Sequence, residues 1–281
     1  MTDRTVQGIA YPAFLYGTAW KEERTQPLTR LALEAGFRGF DTANQRKHYV
    51  EAAVGEAIAE AIRDGLVARE ALFLQTKYTS LGGQDHRLPY DKHAPVTTQV
   101  HQSFERSLEH LHTDWIDAYI LHGPSTYQGL ADEDWEAWRA MEALQQAGKT
   151  RLIGVSNVTL EQLQMVHQGA VVQPAFVQNR CYARHGWDRE VRAFCQTHGI
   201  VYQGFSLLTA NRRELSTPAI KAIASRLGCT VPQVIFRFAL EVGMLPLTGT
   251  SNPLHMRQDR EALQLALRPD EIETIAGISA P

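Results

Sequence analysis

Three features are scarce or missing in this 281-residue sequence, and each absence argues against a class of protein. The three cysteines, Cys181, Cys195 and Cys229, show no CxxC spacing, which argues against a disulfide framework and is typical of a reducing compartment. No apolar run approaches the roughly 20 residues that cross a bilayer, and residues 1–8 lack the apolar stretch of a signal peptide. The net charge is only -3 and no long basic stretch is present, so no nucleic-acid partner is expected. Together these absences predict a cytoplasmic protein with no membrane partner.

Eight short apolar segments alternate with longer amphipathic ones, and each short segment has the length of a buried strand. The predicted strands are Phe14–Gly17, Gly36–Asp41, Leu72–Lys77, Ile116–His122, Leu152–Ser156, Phe176–Gln178, Val201–Ser206 and Leu245–Thr248. Two predicted helices are identified by their starts, one by an N-cap at Thr25 and one by a capping box over Thr159–Gln162. The other predicted helices are Val50–Asp64, Pro95–His112, Asp132–Gly148, Asp188–His198, Pro218–Gly228, Pro232–Gly243, Pro253–Leu267 and Pro269–Gly277. This alternation predicts an α/β fold with a parallel sheet, either a closed barrel or a doubly wound sheet. A doubly wound dinucleotide domain should carry GxGxxG after its first strand, and that motif is missing after Gly17.

Three predicted strands end in an ionisable residue, at Asp41, Lys77 and His122, and Tyr49 follows Asp41 in the next loop. In a barrel, these strand ends gather at one mouth. Taken singly, each residue also suits a cap, a surface position or core packing. Taken together, they suit a cluster for general acid catalysis, in which Tyr49 donates a proton to a carbonyl oxygen. An ammonium about 4 Å from a phenolate stabilises it by about 4 kcal/mol, so we expect Lys77 to lower the pKa of Tyr49 from about 10 by about three units.

Two further features complete this hypothesis for the site. Asp41 would hold Lys77 in place and charged, and His122 would orient the substrate oxygen. The irregular stretch over residues 78–94 is long for a loop, and it follows a strand directly. We therefore expect it to form a wall of the active site.

With their flanking segments, these four residues resemble the Asp–Tyr–Lys–His tetrad of the aldo-keto reductases. The similar segments run in the family's order over nearly the whole chain: Gly36–Ala43, His48–Tyr49 with Val54–Ala57, Leu74–Lys77, Ile116–His122, Gly154–Asn157, Val177–Arg180 and Gly204–Ser206. The resemblance implies a (β/α)8 TIM barrel that forms a single domain over residues 1–281. It also implies reduction of a small-molecule aldehyde or ketone with NADPH, NADH being the alternative.

The resemblance assigns roles residue by residue. The implied catalytic residues are Asp41, Tyr49, Lys77 and His122, and the implied substrate contacts are Trp20, Tyr49 and His122. The implied cofactor contacts are Gly17, Thr18, Asp41, Ser156, Asn157, Gln178, Phe205, Ser206, Leu208, Gly249, Thr250, Ser251, His255, Arg257, Gln258 and Asp259. No metal site is implied.

Two departures from the family pattern bear on function. The family places its tyrosine five residues after the aspartate, where this chain has Arg46, and Tyr49 comes after an inserted loop, Asn44–His48. Gly249 and His255 stand where the family has a lysine and an arginine for the adenosine 2′-phosphate. Thr250, Ser251 and the helix start after Pro253 still suit a phosphate, and Arg257 is a candidate to assist.

Other functions stay open at this point. The displaced tyrosine also fits a regulatory protein that binds the nicotinamide cofactor without turning it over. Lys77 could form a Schiff base as in aldolases, although a paired Asp41 would oppose the lowered pKa which that chemistry needs. His110 and His112 form an HxH pair at a predicted helix end, where residues i and i+2 point apart, so a metal hydrolase is disfavoured.

Overall fold

A computed structural model describes residues 4–278, so three residues at each end of the predicted domain 1–281 lie outside the described part. The strands are β1 Thr5–Val6, β2 Ile9–Ala10, β3 Leu15–Gly17, β4 Gly39–Asp41, β5 Phe73–Tyr78, β6 Ile116–Leu121, β7 Thr150–Ser156, β8 Phe176–Arg180, β9 Val201–Phe205 and β10 Leu245–Thr248. Strands β3 to β10 close a barrel in chain order, with β10 pairing with β3, and every pair is parallel. The predicted (β/α)8 barrel is therefore confirmed, and the doubly wound sheet is excluded.

Helices surround the barrel and connect its strands. They are α1 Thr25–Glu34, α2 Glu51–Arg63, α3 Val96–Leu111, α4 Asp132–Gln146, α5 Leu160–Gly169, α6 Arg189–Thr197, α7 Arg212–Leu215, α8 Pro218–Leu227, α9 Val231–Glu241, α10 Pro253–Glu261 and α11 Pro269–Ala276. The predicted capping box is present, because Thr159 accepts from the Gln162 N–H and the Gln162 side chain reaches back to the Thr159 N–H. Within residues 4–278, no helix is both long and apolar enough to cross a bilayer.

Several predicted boundaries were wrong for local reasons. Thr25 does not cap a helix but is the first residue of α1, and its hydroxyl donates to the Glu22 carbonyl of a preceding 3-10 turn. Strand β4 begins at Gly39 and not at Gly36, because Gly36 has φ +90° in the turn that ends α1. Helix α10 ends at Glu261 and continues as a 3-10 turn over Ala262–Gln264, short of the predicted Leu267.

The sequence analysis missed the antiparallel hairpin formed by β1 and β2. The hairpin packs on apolar residues at the strand starts, among them Leu15, Phe73 and Leu245. Tyr11, which follows it, makes an edge-on contact with the Phe176 ring at 5.9 Å between centroids. The hairpin thus covers the N-terminal end of the barrel and leaves the C-terminal end open for a ligand.

The interior of the barrel changes from apolar to polar along its axis. Near the strand starts it is filled by apolar side chains such as Leu152 and Phe176. Nearer the strand ends it holds buried polar residues, and the register places Asp41 beside Gln75, and Gln178 beside Gln203. The polar residues near the strand ends therefore lie on a packed layer of apolar side chains.

Candidate active site

A large cleft lies over the C-terminal mouth of the barrel. Its volume is about 1460 Å³, above the roughly 300–1,000 Å³ typical of small-molecule pockets. Its lining includes Trp20 and Leu81 and also Thr230 and His255, from distant parts of the chain. A cleft of this size and shape has room for an extended ligand and a second, smaller one.

Asp41 and Lys77 form a buried ion pair beneath this cleft. The Lys77 ammonium lies 2.7 Å from each carboxylate oxygen of Asp41, and it also donates to the Thr42 carbonyl at 2.7 Å. Lys77 is fully buried and Asp41 is 3% exposed. Burial lowers the pKa of Lys77, and Asp41 acts in the opposite direction. The ammonium therefore gives its three hydrogen bonds to fixed acceptors.

Tyr49 reaches the same cleft, although it stands eight positions after Asp41. The inserted loop is held in place, because Gln45 donates to the Gly83 carbonyl at 2.7 Å and the Trp20 N–H donates to the His48 carbonyl at 2.7 Å. The Tyr49 ring then lies above Lys77, whose Nζ is 5.1 Å from the ring centroid. Anchoring at both ends of the loop explains how a longer connection still delivers a tyrosine to this place.

The expected lowering of the Tyr49 pKa was wrong. Burial raises the pKa of Tyr49 well above its ordinary value, and the nearby charge of Asp41 raises it further. The expectation placed the ammonium beside the phenol and left out the desolvation of the phenolate. Lys77 instead gives its hydrogen bonds to Asp41 and Thr42, so Tyr49 is a neutral phenol that carries its proton.

His122 faces Tyr49 across the cleft, with 6.0 Å between the ring centroids. Burial lowers the pKa of His122 well below its ordinary value, and the charge of Lys77 lowers it further. The imidazole is therefore neutral, and its Nδ1 lies 2.6 Å from the Thr79 hydroxyl. Thr79 is itself anchored, since its carbonyl accepts from Tyr90 at 2.9 Å and from Gln84 at 3.3 Å.

The predicted loop wall lies where the sequence analysis expected it. Thr79, Ser80, Leu81, Gly82 and Gly83, from the start of that irregular stretch, line the cleft. Trp20 also lines the cleft; it is 69% exposed, and its ring centroid lies 4.0 Å from that of His48. The Trp20–His48 pair and the hydrogen-bonded start of the loop therefore form part of the cleft wall.

Strained backbone marks the strand ends around the cleft. Trp20, Asn157 and Ser206 have φ values of 62°, 55° and 56°, which are uncommon for residues other than glycine. Such conformations cluster at functional sites, where the surrounding structure over-determines them. Asn157 is held by hydrogen bonds to the His122 carbonyl at 2.8 Å and to Ser156 Oγ at 3.1 Å. All three residues line the cleft, each just after a different barrel strand.

The cleft also contains a lysine that the sequence analysis did not single out. Lys21 donates to the Gly249 carbonyl, and a Cβ on Gly249 would lie 3.6 Å from Lys21 Nζ. Burial, and to a smaller extent the charge of Arg24, lowers the pKa of Lys21 to about 8. Gly249 is thus in contact with a cation from another loop, since Lys21 directly follows Trp20 in the sequence.

Most of the predicted site residues line this one cleft. They are Gly17, Trp20, Asp41, Tyr49, His122, Ser156, Asn157, Gln178, Phe205, Ser206, Leu208, Gly249, Thr250, Ser251, His255, Gln258 and Asp259. Lys77 lies below it, and Thr18 and Arg257 are not among the lining residues. Thr18 is buried, and both its N–H and its hydroxyl donate to the Asp41 carbonyl at 3.0 Å. Arg257 is exposed on α10.

Residues missed by the sequence analysis follow a simple rule. Side chains alternate along a strand, so Gln75 and Thr79 share the face of Lys77, and Gln203 shares the face of Phe205. Counting in steps of two from the predicted site residues would have found all three. Lys21 gave no such signal, because it lies in the loop after β3 and reaches Gly249 only through the closure of the barrel.

The alternatives left open by the sequence are not favoured. The close pairing of Lys77 with Asp41 opposes the free amine that a Schiff base requires. His110 contacts Glu51 at 2.9 Å, whereas His112 contacts Glu56 at 3.2 Å, so the two histidines have different partners. A closed parallel barrel with ionisable groups gathered at its C-terminal mouth is the arrangement of the (β/α)8-barrel enzymes.

Comparisons with known proteins identify the family. The model of the Aldo/keto reductase family matches residues 13–280. Human aldo-keto reductase family 1 member C1 is 30% identical over 278 residues, which cover 89% of this chain and 81% of that protein. Deoxymugineic acid synthase 1 of Oryza sativa subsp. japonica is 30% identical over 296 residues, with 96% and 87% covered. A crystal structure of a Bombyx mori aldo-keto reductase in complex with NADP superposes with a TM-score of 0.84 at 26% identity, covering 99% of this chain and 92% of that one. This chain therefore belongs to the aldo/keto reductase family and is an oxidoreductase.

Proposed function

We propose that this chain reduces a small-molecule aldehyde or ketone to an alcohol, with NADPH as its cofactor and Tyr49 as the proton donor. The observation that carries the proposal is the convergence of Tyr49 and His122 above the buried Asp41–Lys77 pair, in the cleft that Ser156, Asn157 and Gln178 also line. NADPH supplies a hydride for the carbonyl carbon when it is bound. The chain supplies the proton and the orientation of the substrate.

Tyr49 gives its proton to the carbonyl oxygen. Its raised pKa keeps the phenol protonated, which is the form a general acid requires. As the proton leaves, negative charge develops on the phenol oxygen, and the Lys77 ammonium beneath the ring stabilises that charge. Asp41 is the positioning residue that keeps the ammonium fixed below Tyr49.

His122 orients the substrate oxygen. Its lowered pKa keeps the imidazole neutral, so one ring nitrogen donates and the other accepts. When the Thr79 hydroxyl donates to Nδ1, the hydrogen of the ring is on Nε2 and can be donated to the carbonyl oxygen. Trp20, beside His48, forms the adjoining wall of the substrate pocket.

The residues along the cleft fit a nicotinamide dinucleotide. Ser156, Asn157 and Gln178 would hold the carboxamide, and Phe205 would contact the nicotinamide ring. Gly17, Ser206 and Leu208 would contact the central part of the cofactor, and its adenosine part would be held by Gly249, Thr250, Ser251, His255, Gln258 and Asp259. The Bombyx mori relative in complex with NADP supports the choice of a phosphorylated cofactor.

Lys21 supplies a cation to this cleft. It lies against Gly249, where the family has a lysine for the 2′-phosphate, while Arg257 lies on the exposed face of α10. Preference for NADPH over NADH therefore depends on Lys21 more than on Arg257. Burial of the lysine stem makes the ammonium a stronger partner for an anion than an exposed one would be.

The proposal extends to the setting of the enzyme. The eight barrel strands run from Leu15 to Thr248, which supports a single domain over residues 1–281. All three cysteines are free, two of them buried, which supports a reducing compartment such as the cytoplasm.

The decisive variant is Tyr49→Phe, which removes the proton donor and keeps the ring. Turnover with a small aldehyde should fall by about 10²–10⁴, the usual contribution of a positioned acid, while the Kd for NADPH stays within about twofold. Lys77→Met should act in the same direction, and the double variant should lose little more than either single one, because both residues serve one proton transfer.

Fluorescence titration with NADPH and steady-state kinetics would measure these effects, and Tyr127→Phe is the matched control. Tyr127 is 97% exposed and is not among the residues lining the cleft, so its variant should behave as the unmodified enzyme. Near-normal turnover by Tyr49→Phe would refute the assignment of Tyr49. Binding of NADPH without any turnover by the unmodified enzyme would favour the regulatory alternative.

A further inference from the structure

Three glutamine side chains and Asp41 form one hydrogen-bonded cluster inside the barrel, just below the cleft. Gln75 and Gln178 each donate from Nε2 to Asp41 Oδ1, at 2.6 Å and 2.9 Å. Both also donate to Gln203 Oε1 at 2.8 Å, and Gln203 Nε2 donates to Gln75 Oε1 at 2.8 Å. Their exposed fractions are 0% for Gln75 and Gln203 and 3% for Gln178. The interior of such barrels is usually filled by branched apolar residues, so two buried glutamines below the cleft call for an explanation.

The carboxylate of Asp41 determines the direction of every amide in this ring. Paired with Lys77, the carboxylate can only accept hydrogen bonds. Gln75 and Gln178 must therefore turn their amide nitrogens toward Asp41. Their remaining N–H groups then face Gln203, which must present its oxygen to both. Any reversed amide would place oxygen against oxygen in a buried site, where an unmade hydrogen bond is costly.

This arrangement decides which atom Gln178 offers to the cleft. Both hydrogens of Nε2 are used inside the barrel, on Asp41 and Gln203. Gln178 lines the cleft, so the atom left for a ligand is Oε1, which can only accept. The same reasoning applies to Asn157, because its Nδ2 donates to the His122 carbonyl and to Ser156 Oγ, which leaves its Oδ1 as an acceptor. The site therefore presents two acceptors, which suits the NH2 group of a carboxamide.

We propose that Gln203 is a positioning residue which, together with Gln75, locks the Gln178 amide so that its Oε1 accepts a hydrogen bond from the carboxamide NH2 of the cofactor. This proposal rests on the proposed nicotinamide cofactor. Gln203 is not among the residues lining the cleft, so it acts only through Gln178. Without Gln203, Gln178 keeps its bond to Asp41 but loses the second contact that stops the amide from rotating.

The test compares NADP⁺ with its 3-acetylpyridine analogue, in which a methyl ketone replaces the carboxamide and no NH2 group remains. Binding of each is measured by calorimetric titration, together with adenosine 2′,5′-bisphosphate, which has no nicotinamide. Gln178 and Asn157 each accept from the NH2 group, and a neutral hydrogen bond is worth about 0.5–1.5 kcal/mol, so the unmodified enzyme should prefer NADP⁺ by about 5- to 150-fold. Gln203→Leu should lower this preference by the share of Gln178, about 2- to 12-fold, and retain the affinity for the bisphosphate within about twofold.

Gln203→Glu distinguishes orientation from simple packing. Burial next to Asp41 keeps the introduced acid protonated. A protonated acid has one acceptor oxygen and one O–H donor, so it can accept from Gln75 and Gln178 and donate to Gln75, as Gln203 does. This variant should retain the preference for NADP⁺ at pH 6, even where Gln203→Leu unfolds too easily to be measured.

The outcomes separate the two proposals. If the unmodified enzyme binds neither NADP⁺ nor the bisphosphate, the proposed cofactor itself is wrong. If it binds NADP⁺ without preferring it to the analogue, or if Gln203→Leu keeps the full preference, Gln203 does not position Gln178. If Gln203→Glu loses the preference while it stays folded and binds the bisphosphate normally, the orientation argument is also overturned.

Discussion

Lys21 shows how a single side chain takes part in a site from an unexpected position. It follows Trp20 in the loop after β3, and its ammonium reaches the carbonyl of Gly249 at the end of β10. The two strands are neighbours only because the barrel closes between them. Its pKa of about 8 means that it carries its charge at neutral pH and loses it under mildly alkaline conditions.

We predict that affinity for NADPH depends on the protonation of Lys21. The charge is present below pH 8 and is lost above it, so the Kd for NADPH should rise by roughly tenfold between pH 7 and pH 9 if binding requires the charged form. Lys21→Met should weaken binding at pH 7 by about 10- to 150-fold, since a charged hydrogen bond is worth about 1.5–3 kcal/mol. Fluorescence titrations across this pH range would measure both effects.

Lys47→Met is the matched control, because Lys47 is exposed in a neighbouring loop and does not line the cleft. It should leave both the Kd and its pH dependence unchanged. NADH should show a smaller loss on Lys21→Met than NADPH does. Equal losses for the two cofactors would mean that Lys21 binds a part common to both, and an unchanged Kd for NADPH would remove Lys21 from the site.

At the scale of elements, the position of Tyr49 depends on how α2 packs on α3. Helix α2 starts directly after Tyr49 and Val50, and its first residue, Glu51, is held by hydrogen bonds to Ser107 at 3.0 Å and His110 at 2.9 Å on α3. Gly55, one turn later, allows the close approach of the two helices. A Cβ on Gly55 would overlap the carbonyl oxygen of His110 and lie 2.8 Å from Leu111 Cα.

Gly55→Ala should therefore destabilise the protein, although alanine is the better helix former by about 1 kcal/mol. Overpacking of this kind costs about 1–3 kcal/mol, and here the obstacle is backbone that cannot rotate away. Chemical denaturation would measure the change, and turnover of the folded variant should fall as α2 moves with Tyr49. Gly82→Ala is a suitable stability control, because no atom lies within 4 Å of its Cβ position. An unchanged or raised stability of Gly55→Ala would show that α2 and α3 can separate at little cost.

At the scale of the whole molecule, a ligand that spans the mouth of the barrel should stabilise the fold. The cleft is lined by residues from both ends of the chain, including Gly17 and His255. At a concentration of 100 Kd, a ligand that binds only the folded state adds about 2.7 kcal/mol. For a chain of this size that corresponds to a rise in Tm of about 5 °C.

Thermal unfolding with and without NADPH would measure this rise. The same concentration of NADH should raise Tm by less, because it lacks the 2′-phosphate that we propose as the partner of Lys21. Lys21→Met should bring the two shifts closer together. If neither cofactor changes Tm at millimolar concentration, the cleft is not a dinucleotide site.

Much of the architecture was already determined by local sequence. The alternation of short apolar segments with amphipathic ones predicted all eight barrel strands, because strand and helix periodicities are properties of neighbouring residues. The same reasoning predicted that Asp41, Lys77 and His122 would share one mouth, since parallel strands place their C-terminal ends together. The hairpin of β1 and β2 was missed, because each of its strands is only two residues long and carries no periodic signal.

Only the tertiary structure decided how these side chains meet. From the loop length alone, it was not determined whether Tyr49 reaches the cleft. The position of this loop is fixed by the contact of Gln45 with Gly83, which lies in the loop after the next strand. The direction of the Tyr49 pKa depended on burial, which no sequence pattern measures. Lys21 beside Gly249, and Gln203 beside Gln178, come together through the closure and register of the barrel. Sequence determines which residues stand at the strand ends, whereas hydrogen bonds and desolvation depend on distances between segments that are far apart along the chain.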